Sequence, residues 1–220
     1  MPKWVKTLLA GLLLPLCYGA TKALVLLLRQ GGGEEATLVW VPLVAGVVCW
    51  IVIYLLLPRP MWLYVVGHEL THVIWTWAFW GRVKKFKATA EGGQVLVTRV
   101  NFLITLAPYF FPFYVALVVL GFVVGDALWN WKPYAAFFHV LVGAAYGFHV
   151  TLTWHALQSH QTDIADQGYL FSGVVILLGN TGLLLVGLPL LMPGVDPLTA
   201  LGWCLKATVE ALQAIRALLA

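Results

Sequence analysis

His68-Glu69-Leu70-Thr71-His72 places two imidazoles four residues apart. On a helix they stand one turn apart on one face, so both can reach a single metal ion. Glu69 lies about a third of a turn round, placed to take a proton from a water activated by that ion. The run from Met61 to Trp80 holds no other charged residue and is long enough to cross a bilayer. A carboxylate at mid-bilayer costs roughly 2.5–3.5 kcal/mol on insertion scales. Glu69 therefore calls for a partner or a wet cavity, and a divalent cation with its water supplies both. The plain alternative is a structural pair of histidines that holds no ion.

Two histidines do not complete a zinc site, because catalytic zinc takes three protein ligands and keeps the fourth position open. The third must come from another segment. His149 shares a helical face with Tyr146 and Thr153, and that polar stripe is expected to point inward. His155 and His160 follow, then Asp163 and Asp166 in Gln161-Thr162-Asp163-Ile164-Ala165-Asp166-Gln167-Gly168. His139 is the least suggestive. For any one of these histidines, interior hydrogen bonding is the simpler role.

The elements that must position these groups are membrane helices. Of 220 residues, 61% are hydrophobic and 10% charged, against about 25% charged in soluble domains. The expected fold is an all-α polytopic membrane protein of about six transmembrane helices, with a short β-hairpin after the motif helix. Six apolar segments are long enough to span: 7–28, 37–57, 62–80, 101–124, 133–157 and 169–192. Residues 1–60 are expected to hold two N-terminal helices. Residues 61–192 form the catalytic membrane core, and 193–220 an interfacial C-terminal helix. The net charge of +4 suits membrane orientation and gives no reason to expect nucleic acid as a partner. Cys17, Cys49 and Cys204 lack metal-ligand spacing and imply no disulfide framework. Basic residues divide evenly between the two sides, and the dense 82–99 cluster is expected to face the cytoplasm.

Val83 to Thr98 breaks the helical trend. Val83-Lys84-Lys85-Phe86-Lys87-Ala88-Thr89 and Gln94-Val95-Leu96-Val97-Thr98 flank Glu91-Gly92-Gly93. This pattern predicts a hairpin over 83–98, and it also suits a solvated basic loop. Pro108 and Pro112 are positioned to kink the fourth span and open a path for water.

The HELTH helix, the basic Gly-Gly hairpin and the later Asp-containing segment, in that order, resemble the site-2 protease family of intramembrane zinc metalloproteases. The resemblance covers roughly residues 62–190. It implies one Zn2+ per chain, with His68, His72 and Asp163 as ligands and Glu69 as the general base. Asp163 is chosen by its place in Asp-Ile-x-x-x-Gly ahead of Phe171-Ser172. Asp166 is the alternative in that segment, and the family's usual Asn-Pro…Asp-Gly form is absent. His149 remains an alternative ligand or a group behind the ligands. The implied substrate is a membrane protein cut in or near a transmembrane helix and presented as a strand beside the hairpin. Val95 and Val97 would contribute to holding it, one N–H pointing inward and the other outward.

The implied location is multi-pass in a bacterial cytoplasmic membrane, with the lipid bilayer and an accessory regulator as further partners. Two other functions compete: an inactive binding or regulatory homologue, and a proton- or ion-coupled transporter using Glu69, Asp163 and His149. Bound stoichiometric metal separates hydrolysis from transport.

Overall fold

The computed structural model describes residues 1–30, 33–89, 92–192 and 194–219, with the side chains of Glu34 and Glu35 excepted. Long apolar runs give long helices: α1 (Lys3–Gln30), α2 (Glu34–Leu56), α3 (Met61–Ala78), α5 (Phe113–Trp129), α6 (Ala135–Leu157), α8 (Tyr169–Leu191) and α9 (Pro197–Leu219). Two short helices, α4 (Phe102–Leu106) and α7 (Thr162–Gln167), carry the turns that matter for the site. Among the described residues the fold is all-α apart from one antiparallel pair, β1 (Val83–Thr89) and β2 (Gly92–Val97).

Among the described residues, four helices are long and apolar enough to cross a membrane: α1, α2, α6 with the turn before it, and α8. A fifth is reached if Phe102–Tyr109 and Phe113–Trp129 count as one broken span, bent by 81°. This differs from the six expected spans in two places. The motif helix α3 is not among the candidates, because its 18 residues include His68, Glu69, His72, Thr71 and Thr76. The expected fourth span is not a single rod. It breaks at Phe110–Pro112, where Pro112 stands before α5 and cannot continue the preceding helical hydrogen bonding.

The chain forms two compact units. In the first, residues 1–37 and 162–220, α1 packs on α8 and α9. Small residues bring the helices together. A Cβ at Gly19 would overlap the Thr208 hydroxyl and lie 2.6 Å from the Cys204 carbonyl oxygen, so only glycine permits that approach. Lys22 and Glu210 pair at 2.7 Å across α1 and α9. Asp196 caps α9, its Oδ1 accepting from the backbone N–H groups of Leu198 and Thr199 at 2.9 and 3.0 Å.

In the second unit, residues 38–161, α2 and α6 are also in backbone-close contact. A Cβ at Gly46 would overlap the Val140 carbonyl, and one at Gly143 would overlap that of Leu43. Trp50 Nε1 donates to Thr151 Oγ1 at 2.8 Å. Trp50, Tyr64, Phe148 and Leu152 form a buried cluster that ties α2, α3 and α6 together.

The hairpin pairs Lys85 with Leu96, Phe86 with Val95 and Lys87 with Gln94, with a bulge between Val83 and Lys85. Residues 90 and 91 of the expected turn lie outside the described residues. The Thr98 N–H donates to the Arg82 carbonyl at 3.0 Å, so even-numbered N–H groups on β2 face β1. Val95 and Val97 stand two residues apart and therefore point their N–H groups the same way, to the free edge. The expectation that one points inward and the other outward is thus corrected.

Candidate metal centre

The motif is helical throughout, and it sits in the middle of α3. His68 and His72 stack along one face with ring centroids 5.1 Å apart and planes at 75°. Glu69 is buried at 7% exposure. Two contacts fix the first turn of this face. Thr71 Oγ1 donates to the Gly67 carbonyl at 2.8 Å, and the Tyr109 ring meets His68 edge-on at 5.3 Å. Tyr109 is itself held, its hydroxyl donating to Gln161 Oε1 at 3.2 Å.

His72 Nδ1 lies 2.9 Å from the Ile104 carbonyl oxygen on α4. With Nδ1 donating, the neutral ring keeps its lone pair on Nε2, which is how a metal-binding imidazole is usually oriented. Ile104 is fixed in turn by Asn101, which caps α4. Its Oδ1 accepts from the Ile104 N–H at 2.8 Å, and its carbonyl accepts from Thr105. The 3-10 turn Ala107–Tyr109 continues directly from α4, so one short segment orients His72 and supplies the ring against His68.

The hairpin approaches the carboxylate. A Cβ built on Gly93 would overlap Glu69 Cγ and lie 2.7 Å from its Cδ, so β2 comes this close only because residue 93 has no side chain. By alternation along the strand, Val95 and Val97 share the face of Gly93. Both are half-buried, while Gln94 and Leu96 are exposed.

Beside His68 lies a small, partly open pocket of about 20 Å³, lined by Tyr64, Gly67, His68, Thr71, Tyr114 and His149 among others. Pro108, Phe111 and Phe113, at the break between α4 and α5, form part of its wall. The Tyr114 hydroxyl donates to the Leu63 carbonyl at 2.6 Å, and its ring lies where a Cβ on Gly67 would stand. The proline-induced bend thus gives polar-lined space next to the motif.

The other candidates sort by their surroundings. His149 is buried and lines the same cavity as His68. His155 lies at the end of α6, its Nδ1 3.3 Å from Arg59 Nη1. His160 is exposed, and His139 is buried beside Phe138 on α6.

In the first unit, Asp163 sits in the first turn of α7 and is half-buried, whereas Asp166 is exposed. The Asp-Ile-x-x-x-Gly pattern has a local reason. Gly168 adopts φ +90° to turn α7 into α8, a conformation that favours glycine. Ile164 is buried, and its carbonyl accepts from the Gly168 N–H at 2.9 Å and from the Ser172 hydroxyl at 3.2 Å.

As donors on one face of α3, His68 and His72 can together bind a metal ion. Two imidazoles suit a first-row metal ion and leave its remaining positions for further ligands. The orientation of His72 by Ile104 fits that use.

Two contributors were not singled out by their sequence positions. Gly93 reads as a turn residue, and its signal is a glycine followed at once by a β-prone run. Asn101 announces itself only as a cap three residues ahead of Ile104. No protein-family model matches this chain, and no match was found among curated proteins or solved structures.

Proposed function

We propose that this protein is a zinc-dependent intramembrane endopeptidase of the site-2 protease type, with His68, His72 and Asp163 as metal ligands and Glu69 as general base. The observation that carries the reading is the arrangement around α3: two imidazoles one turn apart, one of them oriented through Nδ1, with a buried carboxylate between them and a strand against that carboxylate. A structural histidine pair has no need of a glycine strand pressed on a buried glutamate.

When bound, zinc supplies Lewis acidity and a nucleophile at neutral pH. Glu69 takes the proton of the attacking water on a carboxylate oxygen and later returns it to the leaving amine nitrogen. The cavity beside His68 gives water a place among polar groups below an apolar surface. A substrate helix must unwind before its carbonyl can be attacked, and its freed N–H and C=O groups then need partners. The free edge of β2, where Val95 and Val97 direct theirs, offers such partners without demanding a particular side-chain sequence.

Metal analysis of the purified protein tests the reading. One zinc per chain in the wild type, lost in His68→Ala and His72→Ala, is the expected result. Metal-free wild-type protein that nonetheless cleaves a membrane substrate would refute it.

A further inference from the structure

We propose that Lys6, on the first helix, is a positioning residue for Asp163. The inference rests on the metal reading above and adds to it a role for α1, which otherwise looks like an accessory span.

Lys6 is 9% exposed. Its Nζ donates to Gln167 Oε1 at 2.7 Å and to the Asp166 carbonyl oxygen at 3.3 Å. Both acceptors belong to the last turn of α7, the helix that carries Asp163. Both are neutral groups, so no carboxylate in these two bonds offsets the cost of removing the ammonium from water. Burial of that kind is retained where the contact does something.

What α7 needs is plain from its length. Six residues are too few for a helix to stand alone, since the first turn costs more than its hydrogen bonds return. Its final carbonyls also lack intrahelical partners, and a cation at a helix C-terminus satisfies them with favourable sign. Ser172 and Gly168 secure the Ile164 carbonyl, and Lys6 secures the last turn beside it. With its C-terminal half held from both sides, the direction of the Asp163 carboxylate is set by α1 and α8 together. A metal ligand loosened by loss of such support typically costs 10–100-fold in affinity.

The test is a mutant cycle on full-length protein in detergent, with zinc alone as the probe and affinity read by competition with a chromophoric chelator. Lys6→Met is expected to weaken zinc binding roughly tenfold, and Lys6→Arg to recover most of that loss. Gln167→Leu, which removes the nearer acceptor and keeps the lysine, should shift affinity in the same direction, and it decides the question if Lys6→Met does not fold. Added to Asp163→Ala, Lys6→Met should change nothing further, because it acts through that carboxylate. Unchanged affinity in Lys6→Met and Gln167→Leu would overturn the proposal, as would an equal loss with and without Asp163. Zinc-free wild type, or Asp163→Ala binding as tightly as wild type, would instead defeat the metal reading and this proposal with it.

Discussion

His72 Nδ1 and the Ile104 carbonyl oxygen lie 2.9 Å apart, so a backbone group on the short helix α4 sets the tautomer of a motif histidine on α3. This contact converts a sequence motif into an oriented donor. It also makes the cap of α4 part of the site, because Asn101 holds Ile104 in place.

Asn101→Ala is therefore expected to act at a distance from the ion. Loss of a helix cap costs about 0.5–2 kcal/mol of stability. Loosening the group behind a metal-binding histidine should also weaken zinc affinity by roughly tenfold. Chelator competition checks the second effect. Wild-type affinity in Asn101→Ala would show that the Ile104 carbonyl does not orient His72.

Gly93→Ala places a methyl group where the Glu69 side chain now lies. The carboxylate is the more mobile partner and is expected to move. Turnover should fall at least about tenfold, the scale of a displaced general base, while zinc content stays at wild-type level. Full turnover in this variant would mean that the contact between β2 and Glu69 is irrelevant to the chemistry.

Much of this arrangement was legible in local pattern. The HELTH spacing fixes which residues share a helical face, and two β-prone runs give a hairpin, although Gly92 and Gly93, expected in the turn, pair in β2 with Thr89 and Ala88. The prolines at 108 and 112 mark the break in the fourth apolar segment, though its 81° bend depends on what packs around it. Gly93 and Lys6 were legible only as types. A glycine beside a turn and a lysine before an apolar run have ordinary local explanations, and their contacts with Glu69 and α7 are made by chain far away in sequence. The motif helix was read as a span from its length, yet its polar residues keep it out of the apolar set.

The two aspartates are separable. Asp163→Ala is expected to lose zinc, and Asp166→Ala to keep it, since Asp166 is exposed and its backbone carbonyl already accepts from Lys6. Zinc occupancy in the two variants decides the assignment. Retention of zinc in both would shift the third ligand to His149.

Val95→Pro and Val97→Pro each remove one N–H from the free edge of β2 and leave the ladder to β1 intact. Both should cut turnover, by similar factors, with zinc and hairpin retained. The comparison is made with one membrane substrate and the metal measured in parallel. Unimpaired cleavage by both would show that the edge does not receive substrate.

The most direct measurement compares wild type with Glu69→Gln, each reconstituted in lipid with a substrate bearing one transmembrane helix, and reads metal content and product together. The account predicts equal zinc in the two proteins, one product cut within or near the helix for the wild type, and none for Glu69→Gln. Cleavage at the wild-type rate by the zinc-loaded Glu69→Gln protein would contradict it.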